Sequence, residues 1–323
     1  MMRATDTDDP SRACFRFASH RFPKNAVSEK RELPKNAVTE KRATPLHGRS
    51  VKLITGEITT MQAKSELALC CTCLLILFLA QPLAGQAQPA APSAAEASLK
   101  KPTDFRSRAE VRNEYQSLEG DGYRNSVTPR FEYAVKPSVS VRLELPYVTY
   151  DPGGGGERVS GQGDLLARGA WRAIQREGFA LIVATEVTFD TADDDRLGFG
   201  KTLVAPHIYA AIDLPGYDSV FFPNIQHYVS VAGDRTRGDV NFTTLKPNLL
   251  TRWPNKIYTF LEPQFSIDWN RDAKTGLTVE LEIGKILSRN IAAWVRPGIG
   301  AINKYELPSV YEWNLEVGMR YIF

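Results

Sequence analysis

The sequence predicts an all-β fold: a closed antiparallel transmembrane β-barrel of about twelve strands in meander order, preceded by a disordered extension and a signal peptide. Three observations predict it. From about Phe105 to the last residue, hydrophobicity alternates with a period of two in short segments separated by turn residues. Many of these segments run about ten to thirteen residues, longer than the strands of soluble sheets and close to what a tilted membrane-crossing strand requires. The connections alternate along the chain, short then long, which puts both ends of the barrel on one side.

Residues 1–60 are polar and carry a duplication, Pro-Lys-Asn-Ala-Val-Ser-Glu-Lys-Arg at Pro23–Arg31 and Pro-Lys-Asn-Ala-Val-Thr-Glu-Lys-Arg at Pro34–Arg42. Two copies are too few for a stacked repeat fold. Met61, Lys64, the apolar run Leu67–Ala80, the helix-breaking Pro82 and the small residues Leu83 to Ala87 then follow in the order of a secretory signal peptide, assigned to 61–87. The apolar run is shorter than the roughly twenty residues a membrane-spanning helix needs. Translation is expected to start at Met61, with 1–60 contributed by an over-extended gene start, and cleavage to follow Ala84 or Ala87. No Cys follows the Leu-Ala-Gly stretch, so a lipid anchor lacks its acceptor. Residues 88–104, rich in Ala and Pro, read as a disordered lead-in, and 105–323 as the barrel.

Strands are placed near 107–116, 126–135, 138–149, 161–174, 178–189, 201–212, 219–231, 240–252, 257–269, 276–287, 291–302 and 312–323. The last is the clearest: Trp313, Leu315, Val317, Met319, Tyr321 and Phe323 alternate with Asn314, Glu316, Gly318 and Arg320. Val139 to Tyr147, Leu261 to Trp269 and Leu277 to Ile283 repeat the pattern. Short connections hold Lys136-Pro137, Gln175-Arg176-Glu177, Leu214-Pro215-Gly216, Pro254-Asn255 and Ser288-Arg289-Asn290. The longer ones hold Glu119–Gly122, Asp151–Gly156, Thr191–Gly200, Gly233–Asp239, Asn270–Thr275 and Asn303–Ser309.

In hydrocarbon a sheet must close, because each unpaired backbone group at an open edge costs several kcal/mol. Closure turns the apolar alternates toward lipid and the charged ones inward. The expected lumen-lining set is Arg142, Glu144, Asp164, Arg168, Lys246, Glu262, Asp268, Glu280, Glu282, Arg296, Glu316 and Arg320, joined by Glu110, Arg112, Glu114, Arg130, Glu132, Arg172 and Arg252. So even a mixture of signs predicts ion pairs across a narrow, hydrated lumen. Tyr147, Tyr150, Trp253, Tyr258, Trp269, Trp313 and Phe323 are assigned to interfacial aromatic girdles. Prolines at 206, 223, 247, 263 and 297 fall inside strands, where each removes a ladder donor. They share the lipid-facing parity, and a row of missing donors is expected to weaken the wall enough for an apolar solute to pass sideways.

Several stretches carry a family resemblance: Arg130-Phe131-Glu132-Tyr133, Val141 to Tyr147, Gly163-Asp164-Leu165-Leu166, Gln226 to Asp234 and Leu261 to Trp269. The chain from about residue 105 onward resembles bacterial outer-membrane proteins of the MetA pathway of phenol degradation, also described as transporters. That resemblance implies a barrel in the outer membrane and uptake of hydrophobic or aromatic compounds, and it supplies no catalytic residues. The terminal Tyr321 and Phe323 resemble the carboxyl-terminal signal by which the barrel-assembly machinery recognises its clients.

Charged residues make up 24% of the chain with a net charge of +3 and mixed signs, so no basic stripe for nucleic acid is present. The cysteines, Cys14, Cys70, Cys71 and Cys73, all precede residue 100, which excludes disulfides and thiol chemistry from the barrel. Gly153–Gly156 lacks the Lys-Ser/Thr of a phosphate loop, and Asp193-Asp194-Asp195 lacks the spacing of a calcium loop. No cofactor or metal is expected. His207, His227 and Ser230 raise an outer-membrane lipase or esterase, but the odd separation of His227 and Ser230 puts them on opposite faces of a strand, so no enzyme is expected. The functional expectation is a passive channel for small hydrophobic or aromatic solutes, with outer-membrane lipid and the assembly machinery as partners. The alternative is a non-conducting structural or adhesive barrel acting through its outer loops.

Overall fold

A computed structural model describes residues 93–304 and 311–323. The expected extension, signal peptide and duplication, and residues 88–92 of the lead-in, lie outside the described residues, as does most of the loop 303–309. The described chain is almost entirely β. One sheet contains β1 (Arg108–Ser117), β2 (Tyr123–Lys136), β3 (Val139–Glu144), β4 (Tyr147–Asp151), β5 (Val159–Gln162), β6 (Leu166–Arg176) and β7 (Phe179–Thr188). It continues through β8 (Lys201–Leu214), β9 (Ser219–Gly233), β10 (Asn241–Trp253), β11 (Ile257–Asp268), β12 (Lys274–Ile286), β13 (Ile291–Ile302) and β14 (Trp313–Ile322).

These fourteen segments make twelve barrel strands, because β3 with β4, and β5 with β6, are each one strand broken near its middle. β2 pairs with both β3 and β4, and the break at Leu145-Pro146 lies opposite the break at Gly163-Asp164-Leu165, bridged by a bond from Gly163 N to Pro146 O of 2.8 Å. Proline accounts for the first break, since it cannot donate to a ladder. Each strand pairs antiparallel with its sequence neighbours, and β1 pairs with both β2 and β14. The barrel is therefore closed, a twelve-stranded meander.

Alternation does what the sequence predicts. Val111, Phe131, Val141, Leu143, Trp171, Val183, Ile208, Ile225, Leu245, Phe265, Leu281, Ile299 and Met319 are exposed on the outside all the way round. Glu110, Glu132, Glu144, Glu282 and Glu316 are buried inside. Of the assigned girdle residues, Tyr147, Trp253, Trp269, Trp313 and Phe323 are exposed on the outside. Tyr258 is a correction: only 2% exposed, it points inward and its hydroxyl donates to Glu282 at 2.8 Å. Tyr150 likewise shares the inward parity of buried Val148, opposite Arg124. Both sit at even positions of strands whose apolar outward residues are odd, so parity overrides the aromatic preference for an interface.

The lead-in is the second correction. Residues 94–100 form a helix, α1 (Ala94–Lys100), entered by a capping box in which Ser93 and Glu96 satisfy each other's backbone N–H groups. Local hydrogen bonds hold its start; packing holds the rest. Ala95 N donates to Arg289 O in the β12–β13 turn, and Ala95 packs with Ile286, Ala292 and Ile322. Arg252 donates to Leu99 O, Arg172 pairs with Asp104 and Thr103 O, and Phe105 N donates to Pro137 O. Residues 93–107 thus form a strap across the short-turn end of the barrel, tied successively to β12–β13, β10, β6 and the β2–β3 turn.

Candidate functional site

The lumen has two unlike sides. Strands β12, β13, β14, β1, β2, β3, β6 and β7 carry a connected network of carboxylates and guanidiniums. Arg108 meets Glu132 at 2.7 Å and Glu110 at 3.2 Å, while Arg130 bridges Glu110 at 3.0 Å and Glu144 at 2.9 Å. Arg112 reaches Glu144 at 2.9 Å, and Arg142 reaches Glu144 at 3.1 Å and Glu186 at 3.0 Å. Across the β1–β14 seam, Arg320 lies 3.3 Å from Glu110 and 3.6 Å from Glu282. Arg296 pairs with Glu282 and lies 3.7 Å from both Glu280 and Glu316. Each buried carboxylate is thereby matched, as burial of a charge demands.

Two aromatics complete this side. Trp294 Nε1 donates to Glu316 at 2.8 Å, and the Arg320 guanidinium lies 4.5 Å from the centre of the Trp294 ring. The ring packs against the inward face of Gly318, and Tyr258 packs against Gly284 in the same way; a Cβ at either glycine would collide with the ring.

The opposite side, toward the short-turn end of β6 to β11, is apolar. Ala170, Ala180, Ile182, Ala184, Ala211, Val220 and Leu250 pack with Phe105 of the strap, flanked by Tyr209, Phe222 and Phe260. Between the two sides lies a cavity of about 440 Å³. A smaller one of about 200 Å³, lined by Glu114, Glu280 and Tyr311, shares Arg112, Lys246, Glu262 and Arg296 with it.

Of the expected lumen residues, Arg142, Glu144, Arg168, Lys246, Glu262 and Arg296 line the larger cavity, and Glu280 and Glu316 the smaller. Glu282 and Arg320 are buried within the ion-pair network. Asp164 and Asp268 stand apart at the long-loop end. Asp164 accepts the backbone N–H groups of Thr191, Ala192 and Phe199, folding the 189–200 loop, and Asp268 caps the turn holding Asn270 and Arg271. Tyr321 and Phe323 lie on the outer surface, their rings 5.1 Å apart, with Phe131 beside Phe323 at 6.4 Å. His227 and Ser230 do not meet: His227 bonds Thr243 and Ser230 bonds Asp239. No group of residues suited to a metal ion occurs among the described residues.

Sequence reasoning passed over Glu186, Arg108 and the aromatic floor of Tyr209, Phe222 and Phe260. Glu186 and Arg108 carry the same parity signal as the residues that were found. The inward aromatics share that parity but are apolar like the lipid-facing residues, so the alternation of polar with apolar does not mark them.

Some ladders are interrupted near the prolines, while others run through them. Pro223 lies directly opposite Pro247, and the β10–β11 pairing is broken between Leu245/Phe265 and Leu249/Leu261, around Pro247 and Pro263. On the outside at this place is an apolar groove of about 500 Å³, walled by Leu181, Ile208, Pro223, Ile225, Leu245, Pro247 and Phe265. It also reaches Tyr209, Asn224 and Lys246, three residues that line the lumenal cavity.

No family model matches the sequence, and no curated protein matches it. Solved structures do resemble the fold. The NanC porin superposes with a TM-score of 0.51 at 9% identity, covering 66% of this chain and 98% of that one. An outer-membrane channel from Pseudomonas putida F1 superposes with a TM-score of 0.51 at 12% identity, covering 76% of this chain and all of that one, 100%. At such identities the likeness is one of fold.

Proposed function

We propose that this chain is a passive channel of the bacterial outer membrane for small hydrophobic or aromatic solutes, which enter through the barrel wall. The reading includes export by the signal peptide at 61–87, insertion by the barrel-assembly machinery, and membership of the phenol-degradation transporter group that the sequence resembles. One observation carries it: the apolar groove at Pro223 and Pro247 and the lumenal cavity share Tyr209, Asn224 and Lys246. Only the width of the wall separates them, flanked by the interruptions in the β8–β9 and β10–β11 ladders. The axial route is narrowed by ion pairs and crossed by the strap at the short-turn end, which suits a solute arriving from the bilayer better than an ion arriving from water. The barrel forms in the outer membrane with both termini, and hence the strap, on the periplasmic side.

The test is uptake by proteoliposomes. Wild-type protein should admit small neutral aromatics while conducting few ions. Replacing Pro223, Pro247 and Pro263 together by Val should restore the ladder and cut uptake severalfold; unchanged uptake by a normally inserted triple variant discards the wall route. Strong ion currents through the wild type would favour an axial pore, and no flux of any solute would favour a structural barrel.

A further inference from the structure

We infer that the lumenal cavity is a binding site for a small aromatic carboxylate, with Arg106 and Arg168 receiving the anion and the aromatic floor receiving the ring. The inference rests on the channel reading for the solute's way in, and names the class of solute the cavity selects.

The charge of the lining is the first argument. Cationic side chains outnumber carboxylates in it by eight to five. Most of those cations are closely paired in the network; Arg106 stands outside it, and Arg168 is held more loosely. Arg106, on the strap, forms no ion pair among the described residues, and its buried Nε has no hydrogen-bond partner. Arg168 meets Glu132 at 3.6 Å and lies opposite Glu186 in the β6–β7 register, yet its Nε is buried without a hydrogen-bond partner. On its other side the register sets Arg168 directly opposite Arg142, a like-charge pair across β3 and β6. Buried donors of this kind are costly when unmet, and a bound carboxylate, which can accept two N–H bonds from a guanidinium, satisfies them.

The second argument is the shape of the rest. Phe222 and Phe260 lie 6.3 Å apart and line the same cavity as Tyr209 and Phe105. A hydrophilic anion such as phosphate or a sugar acid would leave those rings unused, and a neutral arene would leave the guanidiniums unmet. A benzoate-like molecule uses both, and the cavity is within the size range of ordinary small-molecule sites.

The experiment uses the folded protein in detergent micelles, titrated calorimetrically with benzoate, with benzamide as the neutral counterpart and acetate as the anion without a ring. Benzoate should bind at least about tenfold tighter than either, the size expected for a charge-assisted hydrogen bond. R106Q, which alters the strap and leaves the barrel wall intact, should lower benzoate affinity about tenfold and leave benzamide unchanged. R168Q should do the same, and heat-modifiable gel migration confirms its fold. Equal binding of benzoate and benzamide, or benzoate affinity unmoved in both variants, overturns the site. Flux separates the two readings: neutral-arene uptake without benzoate binding sinks the site and spares the channel, whereas benzoate binding with no flux of any solute keeps the site and sinks the channel.

Discussion

At the scale of single residues, the decisive feature is that inward charges are held by several partners each. Glu282 accepts from Tyr258 at 2.8 Å, pairs with Arg296 and lies 3.6 Å from Arg320. Glu282→Gln removes the charge and leaves two buried guanidiniums with poorer partners, so it should cost about 3 kcal/mol, measured as the loss of urea resistance in lipid vesicles. Stability within about 0.5 kcal/mol of wild type would mean that the network is dispensable to the fold. The acidic residue Glu96 works differently, because it lies on the strap outside the wall. The Ser93 backbone N–H and the nearby Lys256 ammonium, at 3.2 Å, lower its pKa from the ordinary 4.5. A depressed pKa stabilises the docked strap above the ordinary value and loses that stabilisation as pH falls through the shifted one. Acidification below the ordinary carboxylate range should therefore loosen the strap and raise ion conductance, and Lys256→Gln should move the onset to higher pH. Conductance that stays flat down to pH 3 in both proteins would dissociate Glu96 from strap docking.

Among elements, the strap is the one whose removal should change behaviour most. Deleting residues 93–104 takes away the ties to Arg289, Arg252 and Arg172 and should increase single-channel conductance severalfold without unfolding the barrel. Conductance equal to wild type would show that the ion-pair network alone sets the constriction. The strands themselves were readable in advance, because alternation, length and turn chemistry agree. Leu277 to Ile283 and Trp313 to Phe323 state their faces without ambiguity. The strap was not readable: Ala- and Pro-rich composition gives helix no advantage over disorder, and α1 is stabilised by long-range contacts of Ala95 with Ile286 and Ile322 that no local pattern encodes. For the same reason the charged half of the lumen was legible and the aromatic half was not. Charge on an inward face announces itself, whereas Phe222 and Phe260 differ from lipid-facing neighbours only by parity.

For the molecule as a whole, ladder interruptions fall on both sides of the lumen, in β8–β9 and β10–β11 on the aromatic side and in β12–β13 on the ion-paired side. On the ion-paired side the ladders of β1 with β2 and β14 run unbroken, and the aromatic side lies beneath strands β8 to β11. At the carboxyl terminus, removing Phe323 takes away its contacts with Phe131 and Tyr321. We expect severalfold less heat-modifiable protein in membranes, with little change in the stability of what does assemble; equal yield would exclude Phe323 as an assembly signal. The seam between β1 and β14 joins Arg108 to Ile322 and Ser117 to Trp313, the most distant partners in the chain. Until it zips, two free rims of ten residues each face outward, and Glu110 and Arg320 stand on separate rims without each other. Neither rim survives bare in hydrocarbon, and bringing them together from opposite ends of the chain is the slowest contact to form. Each rim of a newly made chain therefore has to find hydrogen-bond partners of its own until the ring shuts.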